Sequence, residues 1–132
     1  MPEQVSSPSV PIEGSVAQIK VWLLQLSPMV WRRVLVPSFC TLRELHGIIQ
    51  VAMGWEGLHL YQFRLRAVRY GSCELSASSP EVTLATLHLC KSARFTYEYD
   101  LNIPWHHEVG VEDYIAAEPD KIYPRCTGGG GA

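Results

Sequence analysis

The chain is 132 residues long, 47% hydrophobic and 18% charged, with a formal net charge of −2. That length is one domain's worth, able to bury roughly two thirds of the unfolded chain's surface, and the composition excludes a disordered, collagen-like or coiled-coil chain. No apolar run approaches the roughly 18 residues needed to span a bilayer, so no membrane partner is expected.

Residues 1–15 are rich in proline and serine and show no apolar period, which reads as a flexible arm. They carry no cationic n-region and no apolar h-region, so no secretory signal is visible and cytoplasm is the expected compartment. In residues 17–26, Ile19, Val21 and Leu23 alternate with Trp22, Leu24 and Leu26, which predicts a strand covered on both faces. A second strand, Trp31–Val36, should pair with it antiparallel until Pro37 ends the ladder. Thr41-Leu42-Arg43-Glu44 then fits a capping box. Leu42, Leu45, Ile48, Ile49, Ala52 and Met53 recur at helical spacing, and Gly54 stands where a left-handed closing residue is wanted. A helix over about 42–53 follows, with Arg43, His46, Gly47 and Gln50 toward solvent or the helix flank.

Beyond it, Tyr61, Phe63 and Leu65 alternate with Gln62, Arg64 and Arg66 as a strand, and Val68–Gly71 reads as a short returning strand or an edge. Residues 72–81 are a serine-rich loop, and Thr83–Leu89 a short helix or turn. Arg94–Tyr99 is a strand with Phe95, Tyr97 and Tyr99 on one face, and Trp105–Val111 the expected last strand after Pro104. Past Asp113 the chain turns acidic and then glycine-rich, and reads as a tail. The expected class is α+β: one domain, a mixed or antiparallel sheet on one main helix, with a β-grasp-like hairpin–helix–strand start. The boundaries expected are an arm at 1–15, the domain at 16–115 and the tail at 116–132.

The run from Ile19 to Gly71 carries a resemblance. Pro28 with Trp31-Arg32-Arg33 matches a P-x-x-W-R-R strand; Thr41, Leu42, Glu44, Leu45, His46, Ile49, Gln50, Met53, Gly54 and Trp55 match a T-L-x-E-L-H-x-x-I-Q-x-x-M-G-W helix. His59, Leu60 and Phe63, then Tyr70-Gly71, match the next pieces, and Asp100, Trp105 and His107 survive from a later strand entry. In these pieces the chain resembles the Ri-plasmid ORF-three-like family, named after an open reading frame on an Agrobacterium Ri plasmid. Many of its members are labelled passenger or "TnpR" proteins of transposable elements. Against that family's pattern the chain looks shortened at its C-terminus, ending at Tyr123-Pro124-Arg125-Cys126-Thr127 and a glycine run. The resemblance implies a fold and a mobile-element context, and brings no established chemistry with it.

Cys40, Cys73, Cys90 and Cys126 form no C-x-x-C pair and are expected to be reduced and unbridged. Cys40 near His46 invites a nucleophile reading, but at N′ it also suits an apolar staple against Leu45. There is no P-loop, G-x-G-x-x-G, G-x-S-x-G or H-E-x-x-H, and no cofactor is expected. His107, with Asp100 and His59, has metal-ligand chemistry; the alternative is a structural histidine held by Asp100 or a backbone carbonyl. Charge is unevenly spread: residues 20–94 hold nine Lys/Arg against four Asp/Glu, and residues 95–132 two against seven. Arg32, Arg33, Arg64, Arg66 and Arg69, with Arg94 near them and with Trp31, Trp55 and Tyr70, could grip a nucleic-acid backbone and stack bases. Equally, they could be a solvated face pairing with Glu98 or Glu108.

The function expected first is a non-catalytic accessory or interaction module of a mobile element, whose partner is nucleic acid or an element-encoded protein. The alternative is a nucleic-acid-binding protein using the arginine-rich sheet face. A metal-dependent enzyme around His107 is the third reading.

Overall fold

The computed structural model describes residues 15–24, 29–55, 60–75, 77–99 and 105–130. In chain order they form β1 (Ser15–Leu23), β2 (Trp31–Pro37), α1 (Leu42–Met53), β3 (Tyr61–Leu65), β4 (Val68–Gly71), α2 (Leu84–Leu87), β5 (Arg94–Tyr99), β6 (Trp105–Ala116) and β7 (Arg125–Gly130). Among the described residues the strands make one seven-stranded sheet in the order β4-β3-β5-β6-β1-β2-β7. All its strand pairs are antiparallel, so of the two sheet types expected it is the antiparallel one. No helix among the described residues is long and apolar enough to cross a membrane.

The start of the domain follows local chemistry closely. β1 and β2 pair from Val16 with Pro37 to Trp22 with Trp31. The Thr41 side chain accepts from the Glu44 amide, the Glu44 carboxylate accepts from the Thr41 amide, and Gly54 closes the helix at φ 79°. Leu42, Leu45 and Ile49 are buried against the sheet, each contributing about 1.5–3 kcal/mol. The Thr83 side chain likewise accepts from the Thr86 amide at the start of α2, and the two capping threonines sit side by side in an antiparallel bridge. The two helix starts are thereby tied together.

Alternation assigns the two sheet faces. The helix side carries Ala17, Ile19, Val21, Val34, Val36, Phe63, Phe95, Tyr97, His107, Val109, Val111 and Tyr114, all buried. The other side carries Lys20, Trp22, Trp31, Arg33, Arg64, Arg69, Arg94, Glu98, Glu108 and Glu112, and neither helix packs on it. Among the described residues the sheet is one-sided, as antiparallel sheets often are.

Two expectations are corrected here. β6 continues to Ala116 rather than ending near Val111, and Ser15 already pairs with Ala116. The glycine-rich stretch is no tail: Arg125–Gly130 is the edge strand β7, zipped onto β2 from Trp31 with Gly130 to Leu35 with Arg125. A run of glycines shows no hydrophobic alternation, so its strand pairing comes wholly from the edge that β2 offers. The arm at residues 1–14 and the breaks at Pro28 and Pro104 lie outside the described residues.

Candidate nucleic-acid interface

On the helix side, Tyr97 occupies the middle of an aromatic cluster. Its hydroxyl accepts from Gln50 Nε2 at 2.8 Å, which leaves its proton for His46 Nδ1 at 2.6 Å. His46 also lies flat on Tyr61, centroids 3.7 Å apart and interplanar angle 6°. Burial first, then the neighbouring Arg43 charge, pull the His46 pKa down to about 4. A neutral imidazole accepting from a phenol is the consistent protonation state. His46 and Gln50 therefore face the sheet and not the helix flank, drawn in by the Tyr97 hydroxyl. Trp55 stacks on Tyr99 and sets its edge to His107 at 5.0 Å, so it belongs to this closed side. Tyr70 likewise packs against the core.

His107 is fully buried, its Nδ1 3.3 Å from the Tyr97 carbonyl oxygen. His59 and Asp100 lie outside the described residues. Among the described residues no three His, Cys, Asp or Glu side chains gather as a metal site. All four cysteines are free. Cys40 is buried in the same core cluster as Leu45, and burial first, then the Glu44 charge, push its thiol up to about 12, away from a reactive thiolate.

The opposite face has a different construction. A groove of about 540 Å³ is lined by Gln18, Lys20, Trp22, Met29, Arg33, Arg94, Gly110 and Glu112, among others. One row across four neighbouring strands reads Arg94 (β5), Gly110 (β6), Lys20 (β1), Arg33 (β2). At three strand spacings this row spans about 14 Å. Lys20 Nζ stands 5.5 Å from the Trp22 ring centroid and 5.1 Å from that of Trp31. Arg94 lies over Trp22 at 5.3 Å and Arg33 over Trp31 at 5.1 Å. Arg33 is also held by Glu112, Nε to Oε1 at 2.6 Å and Nη2 to Oε2 at 3.1 Å, and Gln18 donates to the same carboxylate at 2.9 Å. The Arg33 hydrogen bond holds the Glu112 carboxyl below the usual carboxylate range.

The five expected arginines are split by this geometry. Arg33, Arg64 and Arg69 are on the open face, where Arg64 and Arg69 stand directly opposite one another. Such like-charged cross-strand pairs are unfavourable by themselves. Arg69 also donates to Gln62 Oε1 and the Leu75 carbonyl. Arg32 points to the helix side: its Nε donates to the Ala52 carbonyl at 3.0 Å and its Nη1 to the Gly130 carbonyl at 3.0 Å. It acts as the missing cation at the α1 C-terminus. Arg66 occupies the β3–β4 turn at φ 49° and donates to the Leu87 carbonyl. Lys20 and Trp22 were missed, whereas Arg94 was expected near the arginine face. Strand alternation, which places Lys20 with Trp22 and Trp31 with Arg33, held the signal; which side lay open was not in it.

The chain is 35% identical over 105 residues to the uncharacterized protein y4hQ of Sinorhizobium fredii, a match covering 75% of this chain and 54% of that protein. The chain thus spans about half the length of the curated relative it matches. Its fold matches a Methanosarcina mazei protein of unknown function, MM3350, with a TM-score of 0.79 and 26% identity over 89% of this chain and 71% of that one. The family model described as plasmid pRiA4b ORF-3-like protein matches residues 15–132. The chain belongs to the plasmid pRiA4b ORF-3-like family.

Proposed function

We propose that this domain is a nucleic-acid-binding accessory module that uses the open face of its sheet. The observation that carries the reading is the row Arg94–Lys20–Arg33 beside Trp22 and Trp31 on a face that neither helix covers. Five cations (Lys20, Arg33, Arg64, Arg69, Arg94) share that face with Glu98, Glu108 and Glu112. Two of those carboxylates are already engaged, Glu112 by Arg33 and Gln18, Glu98 by Gln62 and His106. A phosphate chain would follow the Arg94–Lys20–Arg33 row and keep away from Glu108. The plasmid origin of the family's name agrees with a role on a mobile element, as an accessory rather than a catalyst.

The test is the salt dependence of binding. With Lys20 and Arg94 neutralising phosphates while Arg33 stays on Glu112, log K against log salt should fall with a slope of about −1.4 for a single strand. Lys20→Ala with Arg94→Ala should flatten that slope and weaken binding across all sequences. Salt-insensitive binding, or none at low salt, rejects the proposal.

A further inference from the structure

We infer that the ligand is a single strand with unpaired bases, stacked on Trp22 and Trp31, and that Gly110 and Gly128 are the positioning residues that lay these rings flat. This rests on the nucleic-acid reading of the open face and adds to it the kind of nucleic acid.

A Cβ built on Gly110 would stand 3.4 and 3.5 Å from the Trp22 ring. One built on Gly128 would stand 3.4 and 3.5 Å from the Trp31 ring, and Gly130 is closer still, 2.7 Å from Trp31 Nε1. Each indole therefore lies over a glycine of the next strand, Trp22 over Gly110 of β6 and Trp31 over Gly128 of β7, with room for a Cβ in contact and none for a branched side chain. Neither Gly110 nor Gly128 has a positive φ, so backbone strain does not call for glycine there. A Cβ there would make ordinary van der Waals contact with the ring, so what the ring excludes is any atom beyond Cβ. A ring lying on the sheet turns its other side outward, and base stacking needs such a side.

The cations over those rings do not block the platform. An exposed cation–π contact is worth about 0.5–1 kcal/mol, less than the roughly 1–3 kcal/mol of a stacked base. A base can take the ring while the displaced Lys20 or Arg94 swings to the adjoining phosphate, Arg33 staying on Glu112. Lys20, standing between the rings, would then neutralise the phosphate joining two neighbouring nucleotides. A duplex hides its base faces in its own stack and can offer this surface only its phosphates.

The experiment compares an oligothymidylate of about ten nucleotides, the same strand paired with oligoadenylate, and heparin. Tryptophan fluorescence reports stacking, and heparin retention reports charge alone. The single strand should quench the fluorescence and bind more tightly than the duplex. Gly110→Val and Gly128→Val should each weaken it about tenfold or more while leaving heparin retention unchanged. Trp22→Leu and Trp31→Leu, which crowd nothing, should do the same and keep the test standing if a valine variant does not fold. Duplex bound as tightly as single strand without quenching, or tryptophan variants of undiminished affinity, would overturn the stacking inference while leaving salt-dependent binding intact. Loss of all salt-dependent binding in the wild-type protein would instead reject the underlying reading.

Discussion

The two faces of the sheet both use aromatic rings, but they hold them by opposite means. On the helix side Phe63, Tyr61, Tyr97 and Tyr99 are buried, and the hydroxyl of Tyr97 is tied to His46 and Gln50. On the open side Trp22 and Trp31 are only half-buried, lying on glycine backbone under Lys20, Arg33 and Arg94. Interior rings gain from apolar burial and close packing, whereas a ring under a mobile cation keeps a face that another ring can take. The difference separates what makes the fold from what the fold displays.

The largest expected effect tests that separation directly. Phe63, fully buried between Phe95 and Tyr97, should cost about 3–5 kcal/mol on Phe63→Ala, because a cavity adds to the lost transfer energy. Trp31→Ala on the open side should cost only about 1 kcal/mol, since it empties no enclosed space. Urea unfolding of both variants measures the contrast. Equal losses would mean that the open face is structural after all.

Acid should act on the closed side next. The His46 pKa in the folded protein is lowered to about 4, below its ordinary value near 6.5, by burial and then by Arg43. The unfolded chain therefore binds the extra proton more readily. The stabilisation is complete above about pH 6.5 and is lost progressively as pH falls toward 4. Because His46 is only partly withdrawn from water, the loss should be at most about 2 kcal/mol. His46→Gln should flatten the stability profile in that window. If the profile stays as steep, the neutral His46–Tyr97 pair is not its source.

How much of this could be read beforehand depended on how local the cause was. The α1 boundaries were readable because Thr41, Glu44 and Gly54 each act within one turn. Thr41→Ala should accordingly cost about 1 kcal/mol, measurable in the same urea titrations. His46 and Gln50 were read as flank residues because nothing in the helical period shows that a tyrosine hydroxyl waits 51 and 47 residues along the chain. β7 was invisible for a related reason. Its glycines make room for Trp31 and, at Gly129, for Arg32, and those residues lie in another strand. The five arginines do not act as a set: adjacent Arg32 and Arg33 had to face opposite ways, and the face left open depends on where α1 comes to rest.

The smallest stability effect gives the sharpest test of the open face. Glu112 is half-buried and bound by Arg33 and Gln18, so Glu112→Gln keeps the shape and loses one partly screened ion pair. Such a pair is worth about 0.5–1 kcal/mol, and unfolding should show no more than that. Its pH signature is distinct from that of His46. Glu112 has a folded-state pKa lowered first by the Arg33 hydrogen bond, so its stabilisation is present above its ordinary value near 4.5 and fades only below it. Binding should move the other way. Releasing the Arg33 guanidinium and removing a carboxylate from the groove raises the positive charge along the Arg94–Lys20–Arg33 row, which should strengthen retention on a single strand and steepen its salt dependence. A variant slightly less stable but a better binder is the outcome expected of a surface shaped for an anionic partner. If Glu112→Gln loses stability and binding together, the Arg33–Glu112 pair serves the sheet, and the phosphate path does not run across it.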